Sequence, residues 1–191
     1  MVRAALTSVA KISPELSLPA CVQGDAGAWR ALHREYHPVA SAFLRKLGVD
    51  PREVDDACQD VFLQLFRYLP RFRGDAEFKT WLYRLCITVA RRARLRKRLV
   101  HTVHQMLMWL PAETMLSTPA FCEQSARLRV EAALSRLSTT ERIVFVLYEM
   151  EGLPGTQIAE IVGCKLATLW RRLHYARKNF RRALEAEEAA E

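Results

Sequence analysis

The chain has 191 residues, half of them hydrophobic, so it can form one or two small folded domains and is not a disordered polymer. Lysine and arginine outnumber aspartate and glutamate by 29 to 21, and the formal charge of +8 favours a polyanion or an acidic protein surface as partner. The five cysteines are scattered without a C-x-x-C pair, which argues against a disulfide framework or a zinc ribbon and favours the reducing cytoplasm.

Residues 1–21 are predicted to form an N-terminal arm. Leu18-Pro19-Ala20-Cys21 has the look of a lipoprotein cleavage site, but Lys11, Pro14 and Glu15 interrupt the apolar run before it. No later segment approaches the roughly 18 apolar residues that a membrane span requires. Membrane insertion is therefore not expected.

The following segment is predicted to be a helical bundle, because apolar residues recur at spacings of three and four. Asp50-Pro51-Arg52-Glu53 has the pattern of a helix start with Asp50 as the N-cap, and Pro70 is expected to end that helix. Its buried residues are predicted to be Val54, Cys58, Val61, Phe62 and Leu65. Asp75 is predicted to cap a second helix that runs to Arg98. Its buried face is predicted to contain Phe78, Trp81, Leu82, Leu85 and Val89.

The opposite face of the second helix is predicted to be basic. It contains Thr80, Arg84, Ile87, Arg91, Arg94 and Arg98. Arginines at this spacing follow a phosphate backbone. Trp81 and Tyr83 flank the basic face, and exposed rings there would stack on unpaired bases for about 1–3 kcal/mol each. The alternative is that Trp81 belongs to the core and the arginines form a solvated face.

Residues 99–125 contain Pro111 and Pro119 and are predicted to link two domains. The linker is unusual in its apolar stripe, which is expected to be core, an interdomain seam or a surface covered by a partner. The stripe consists of Val103, Met106, Leu107, Met108, Trp109 and Leu110. Beyond the linker, Ser138-Thr139-Thr140-Glu141 is a capping box that predicts a helix start. Residues 187–191 form an acidic tail.

Residues 156–173 have the layout of a helix-turn-helix, with Ala159 where the two helices cross and Gly163 at the turn. The first helix is expected to begin at Thr156, since Pro154-Gly155 offers no hydroxyl N-cap. The buried stripe of the second helix is predicted to be Leu169, Leu173, Ala176 and Phe180. The face directed away from it displays Ala167, Thr168, Arg171, His174, Tyr175 and Lys178. Arg171 is expected to read a base, and the phosphate contacts are expected from Arg172, Arg177 and Lys178.

Together these segments resemble the extracytoplasmic-function (ECF) sigma factors of bacterial RNA polymerase, over about residues 22–98 and 126–184. Residues 55–62 (DDACQDVF) are similar to the family's polymerase-binding segment. Phe72-Arg73-Gly74-Asp75 and residues 78–84 (FKTWLYR) are similar to its promoter-melting segment. Glu151-Gly152-Leu153 followed by Ile158-Ala159-Glu160 is similar to its helix-turn-helix.

The resemblance implies sigma region 2 over residues 22–98 and sigma region 4 over residues 126–186. It implies core RNA polymerase, promoter DNA and an anti-sigma factor as partners, with no catalytic residues, metal or cofactor. The implied polymerase contacts are Asp55, Asp56, Gln59, Asp60 and Phe62. The implied melting and single-strand contacts are Phe72, Arg73, Lys79, Thr80, Trp81, Tyr83, Arg84, Thr88, Arg91 and Arg94. The expected upstream promoter contacts are Lys165, Thr168, Trp170, Arg171, Arg172, His174, Tyr175, Arg177 and Lys178.

Two positions depart from the family pattern. Thr88 stands where the family often has an asparagine, which leaves the base preference there open. Trp170 stands where a basic residue is common, so it either contacts sugars and thymine methyl groups or covers the core of its own domain. We favour the second interpretation.

Other functions are less well supported by the residues. The main alternative is a one-component helix-turn-helix regulator, which would bind a palindromic site as a dimer. An enzyme acting on nucleic acid ranks third, because the acids from Glu53 to Asp60 point in different directions on one helix. The pairs His33/His37 and His101/His104 lack an acidic or cysteine partner and are interpreted as surface histidines.

Overall fold

The computed structural model describes residues 17–74, 77–107 and 122–188. This part of the chain contains eight α-helices and no β-strand, which confirms the predicted all-α class. The chain divides into two compact units between Ala90 and Arg91. The first is called unit 1 and the second unit 2. None of the described helices is long and apolar enough to cross a membrane.

The described helices of unit 1 are α1 (Leu18–Val22), α2 (Ala26–Lys46), α3 (Val54–Tyr68) and the first part of α4 (Phe78–Leu107), with a 3-10 turn at Leu69–Arg71. The Asp25 carboxylate caps α2 by accepting the Ala28 N–H at 2.7 Å. The Trp29 indole donates to the Cys21 carbonyl at 2.8 Å, which fastens α1 against α2.

The start of α3 differs from the prediction. The helix begins at Val54, with Glu53 in the N-cap position and no side-chain capping bond. Asp50 instead accepts the Arg52 N–H at 3.1 Å, so it closes a turn that precedes the helix. The predicted buried stripe is confirmed at four positions, Val54, Cys58, Val61 and Leu65, whose side chains are fully buried.

The α4 helix is buried on more sides than a single amphipathic stripe allows. The predicted core residues Phe78, Leu82, Leu85 and Val89 are buried, but so are Thr80, Tyr83 and Ile87. The placement of Thr80 and Ile87 on an exposed basic face is therefore wrong. The reason is the surrounding packing: the Tyr83 ring lies 4.2 Å from that of Phe43 on α2, and Phe78 packs edge-on against Tyr36 at 4.8 Å. A helix enclosed in this way has no continuous polar face there.

The α4 helix is also longer than predicted. It continues to Leu107, and α5 begins at Cys122, so residues 99–107 of the predicted linker are helical. This stretch contains neither glycine nor proline, so nothing in its backbone stops the helix. The predicted cap Asp75 and the apolar residues Met108 to Leu110 lie outside the described residues. The side chains of Val103, Met106 and Leu107 are likewise outside them.

Unit 2 contains α5 (Cys122–Ser135), α6 (Thr139–Phe145), a π-helical turn (Val146–Met150), α7 (Gly155–Val162) and α8 (Leu166–Glu188). The capping box at the start of α6 is confirmed: the Glu141 N–H donates to the Ser138 hydroxyl at 3.3 Å, and the Ser138 N–H donates to the Glu141 carboxylate at 3.0 Å. The core of the unit is apolar. Its fully buried residues include Leu134, Leu137, Leu147, Ile158 and Leu169.

The structure describes the side chains of four cysteines, and these are free thiols of two kinds. Cys21, Cys58 and Cys86 are buried in unit 1, and burial is the main cause that raises the pKa of each thiol above its ordinary value. Cys164 is half-buried and lies between α7 and α8. Because a thiolate is the reactive species, the three buried thiols are poor nucleophiles.

Candidate nucleic-acid interface

The helix-turn-helix of unit 2 is built around a left-handed residue between α7 and α8. Gly163 ends α7 with φ of 71° and ψ of 47°, a conformation that strongly favours glycine, and its N–H donates to the Ala159 carbonyl at 2.9 Å. The predicted turn position is confirmed. The predicted start of α7 is wrong by one residue, because the helix begins at Gly155 with Pro154 in the N-cap position.

Trp170 explains why a glycine stands at the start of α7. A Cβ atom on Gly155 would lie 2.7 Å from Cζ2 and 2.8 Å from Cη2 of the Trp170 indole, so the ring packs directly on the α7 backbone. Tyr148 meets the same indole edge-on at 5.6 Å. Trp170 therefore covers its own domain, as favoured from the sequence. It also keeps 42% of its surface exposed.

The two faces of α8 are divided as predicted. Leu169, Leu173 and Ala176 are buried, and Phe180 stacks on Phe145 at 4.5 Å. The opposite face is polar and open, with Thr168 and Arg172 half-buried. Its exposed residues are Lys165, Ala167, Arg171, His174, Tyr175 and Lys178. Side chains of this length, polarity and charge on one helix face suit entry into a major groove.

Arg177 is held differently from the other basic residues of α8. Its Nε donates to the Glu149 carboxylate at 2.6 Å, and its guanidinium lies 5.3 Å from the ring centroid of Tyr148. Both partners belong to the π-helical turn. Arg177 was expected to contact phosphate, yet it is directed toward its own domain.

The aromatic surface of unit 1 consists of Phe72 and Trp81. Their rings are 5.0 Å apart, and Phe72 meets Phe78 at 5.9 Å in a perpendicular arrangement. Phe72 and Trp81 are half-buried, so part of each ring faces solvent. Tyr83 is fully buried, so its prediction as an exposed stacking ring is wrong.

The basic residues around this surface keep part of the predicted pattern. Arg73, Lys79, Thr88 and Arg91 are exposed, and Arg84 and Arg94 are half-buried. The Thr88 hydroxyl donates to the Arg84 carbonyl at 2.9 Å. Thr80 is 2% exposed and its hydroxyl has no hydrogen-bond partner, so its predicted contact with DNA is wrong.

The α3 helix presents an acidic and apolar face. Asp55, Asp56, Gln59 and Asp60 are exposed. Phe62 is half-buried, because its ring packs against His33 at 4.5 Å and lies 6.1 Å from His37.

Two residues that the sequence analysis missed extend this face. Leu63 is 67% exposed and Phe66 is 62% exposed, and the Phe66 ring lies 5.1 Å from that of Trp29. The signal was available in the sequence. Both are large apolar residues that fall off the stripe formed by Val61 and Leu65, and they lie three residues apart on one helix. Neighbouring exposed apolar residues form a patch, and such a patch points to a binding surface.

His33 and His37 form a pair with ring centroids 4.8 Å apart. Burial, followed by the charge of His37, lowers the pKa of His33 below its ordinary value. Within the described residues no group of three histidine, cysteine or acidic side chains is placed to hold a metal ion. The side chains of His101 and His104 lie outside that description.

The helix-turn-helix in unit 2 and the aromatic, basic surface in unit 1 define a two-part DNA-binding protein of the sigma-70 type. Residues 27–100 match the family model Sigma-70 region 2, and residues 127–180 match Sigma-70, region 4. The ECF RNA polymerase sigma-E factor of Escherichia coli is 31% identical over 170 residues, which cover 82% of this chain and 86% of the relative. The chain thus belongs to the ECF sigma factor family, which is not a family of enzymes.

The chain is similar to further known proteins, and the solved structures among them share its fold. The RNA polymerase sigma-H factor of Pseudomonas aeruginosa is 28% identical, with 85% of this chain and 89% of the relative covered. The solved structure of CnrH in complex with the cytosolic domain of CnrY matches with a TM-score of 0.64 at 22% identity, covering 88% of this chain and 95% of that one. The sigma factor RpoE of Bartonella quintana, solved with the anti-sigma factor NepR, matches with a TM-score of 0.62 at 20% identity and coverages of 82% and 98%.

Proposed function

We propose a division of labour between the two units of this alternative sigma factor, which directs RNA polymerase to promoters. Unit 2 recognises an upstream promoter element as duplex DNA. Unit 1 binds the polymerase and holds the strand that becomes unpaired. The observation that carries the proposal is the exposed polar face of α8. It lies opposite the buried apolar stripe of the same helix, directly after the turn of the helix-turn-helix.

In unit 2, Arg171 is the base-reading residue, because an exposed guanidinium at the start of a recognition helix forms bidentate contacts with guanine. Thr168, His174 and Tyr175 border the same groove. Arg172 and Lys178 contact phosphates. Trp170 holds α8 against α7 and offers its exposed edge to the DNA.

In unit 1, Phe72 and Trp81 supply the stacking surface for unpaired bases, and Lys79, Arg73 and Arg91 neutralise nearby phosphates. The proposal is supported by the partial exposure of both rings and by the exposure of the three cations. Base stacking on such rings contributes about 1–3 kcal/mol per base. Thr88 and the half-buried Arg84 and Arg94 border this surface and form its rim.

The polymerase binds α3. Asp56, Gln59 and Asp60 give its polar contacts, and Leu63 and Phe66 give an apolar centre that exposed acids alone would lack. Asp55 and Phe62 lie at the edge of this face. Such a composition, apolar in the middle and charged at the rim, is typical of a binding interface.

We further propose an anti-sigma factor as a second protein partner, which would compete with the polymerase for Leu63 and Phe66. Support comes from the solved relatives, two of which are complexes of this kind: CnrH with CnrY, and RpoE with NepR. The chain itself acts in the cytoplasm and without enzymatic activity, since the polymerase supplies the catalysis.

Run-off transcription tests the proposal. Core polymerase is incubated with genomic promoter fragments, with and without this chain, and new transcripts are mapped. We expect discrete start sites that appear only with the chain and disappear with Arg171→Ala. The alternative, a one-component regulator, predicts tight binding to a palindromic duplex without polymerase and no new transcripts.

A further inference from the structure

The proposed function assigns Thr168, Arg171, His174 and Tyr175 of α8 to the DNA groove, and these residues are called the recognition face. A second group of cations lies on α8 toward its C-terminus. It consists of Lys178, Arg181 and Arg182, which we call the C-terminal stripe. All three side chains are exposed. They line one surface cavity together with His174, Arg177 and Glu185. Lys178 thus joins the recognition face to the stripe, while Arg181 and Arg182 have no part in the functions described so far.

The length of α8 places the stripe beyond the width of a groove. The helix has 23 residues and is about 34 Å long, whereas a major groove is about 12 Å wide. Lys178 lies about 10 Å and Arg182 about 16 Å along the axis from Arg171. At about 100° per residue, Lys178 and Arg182 fall within about 20° of Arg171 around the helix, and Arg181 within about 80°. The stripe therefore prolongs the DNA-facing side of α8 toward the edge of the groove, where the phosphates are.

The cations of the stripe are not engaged by their own domain. Within the described part of the chain, no ion pair or side-chain hydrogen bond involves Lys178, Arg181 or Arg182. Glu185 follows Arg181 by four residues and Arg182 by three, spacings at which ion pairs form on a helix, and it pairs with neither.

Arg177 shows the contrasting arrangement on the same helix. It lies about 120° around the axis from Arg171, and its guanidinium is bound by Glu149 at 2.6 Å and covered by the Tyr148 ring. Arg177 is therefore bound by its own domain, whereas Lys178, Arg181 and Arg182 are exposed to solvent on the same helix.

We propose that the C-terminal stripe binds the phosphodiester backbone of duplex DNA flanking the base pairs that Arg171 contacts. The stripe lengthens the duplex contact of unit 2 and adds affinity without adding sequence preference, because phosphates carry no base information. An acidic protein would also attract three open cations. The alignment of Lys178 and Arg182 with Arg171 favours DNA. The inference rests on the proposed function, which supplies duplex DNA as the ligand.

The test measures how salt weakens binding of the full-length chain to a fluorescent duplex of random sequence. Each phosphate contact contributes about 0.9 to the slope of log K against log salt. We expect Arg182→Gln to lower the slope by about 0.9, and the triple variant Lys178→Gln, Arg181→Gln, Arg182→Gln to lower it by about 2 to 3. The matched control Arg177→Gln removes the same charge from the same helix and is expected to leave the slope unchanged.

Several outcomes overturn the inference. They are an unchanged slope in the triple variant, an equal fall in Arg177→Gln, or no detectable duplex binding by the wild-type chain at low salt. If the triple variant keeps the wild-type slope on DNA but loses binding to poly-glutamate, the partner of the stripe is an acidic protein.

Because the duplex has a random sequence, this test is independent of promoter recognition. If the wild-type chain supports promoter-specific run-off transcription but the triple variant keeps the wild-type slope, only the role of the C-terminal stripe is rejected. If the triple variant has a reduced slope but the wild-type chain gives no promoter-specific transcripts, only the sigma function is rejected.

Discussion

The contact between Gly155 and Trp170 gives the sharpest stability prediction. In Gly155→Ala the new Cβ would lie 2.7 Å from the nearest indole carbon and 3.4 Å from Cδ2 of Leu169, so the ring has to move by about 1 Å to reach an ordinary separation. Overpacking of this kind costs about 1–3 kcal/mol. The better helix propensity of alanine returns up to about 1 kcal/mol. We expect a net loss of about 1–2 kcal/mol in the free energy of unfolding of unit 2.

The background variant Trp170→Ala supplies the control for this prediction. With the indole removed, Gly155→Ala has space for its methyl group and should be neutral or stabilising by up to about 1 kcal/mol. Gly155→Ala is therefore expected to destabilise the wild-type background but not the Trp170→Ala background, a non-additivity expected for residues in contact.

Amide hydrogen exchange of α7 and α8 as urea is added reports the stability of unit 2 separately from that of unit 1. An equal cost of Gly155→Ala in both backgrounds, or a wild-type chain no more stable than the alanine variant, would contradict the packing argument.

Four further predictions concern unit 1. The double variant Phe72→Leu, Trp81→Leu should keep its fold and its binding to the closed promoter, but it should fail to open duplex DNA. Permanganate footprinting should show that a premelted template restores the open complex. If the variant opens duplex DNA as well as the wild type does, unpaired bases do not stack on these rings. Tyr83→Leu should instead lower the thermal stability of the unit, because that ring is fully buried, and a wild-type melting temperature would contradict the burial. Asp56→Lys should weaken core polymerase binding by about 1–3 kcal/mol with unchanged circular dichroism, so unaltered affinity removes Asp56 from the interface. The pKa of His33 is lower in the folded chain than in the unfolded chain, so near pH 6.5 the unfolded chain binds more protons than the folded one. The stability that this residue contributes should therefore fall as the pH drops below about 6.5. An NMR titration that places the pKa of His33 at or above 6.5 would refute this.

The parts of the fold that follow from short-range chemistry could be predicted. The capping box at Ser138 and the turn at Gly163 depend on residues within a few positions of each other, and both are present. The stripe of Leu169 and Leu173 depends only on helical periodicity. Asp50 shows the limit of such patterns: its carboxylate reaches the Arg52 N–H in a turn just as readily as it would cap a helix.

The parts that depend on contacts between distant segments could not be predicted. A helical wheel assigns Tyr83 and Thr80 to the side of α4 away from the main stripe. It contains no information about Phe43, which covers Tyr83 from another helix. For the same reason Arg177 was predicted to contact phosphate. Its partner Glu149 lies 28 residues away in the chain, and helical periodicity contains no information about that contact. The exposure of Leu63 and Phe66, in contrast, follows from helical periodicity alone, because both residues fall off the buried stripe of α3.

The distribution of thiols has a practical consequence for labelling the native chain. A maleimide reacts with thiolate, and Cys21, Cys58 and Cys86 are both buried and raised in pKa, so all three should react slowly while unit 1 remains folded. Cys164 lies half-open beside the turn of the helix-turn-helix. Cys122 would first be replaced by serine, because its side chain lies outside the described part of the chain. A dye on Cys164 would then lie next to α8, and the delayed labelling of Cys21, Cys58 and Cys86 would report the opening of unit 1.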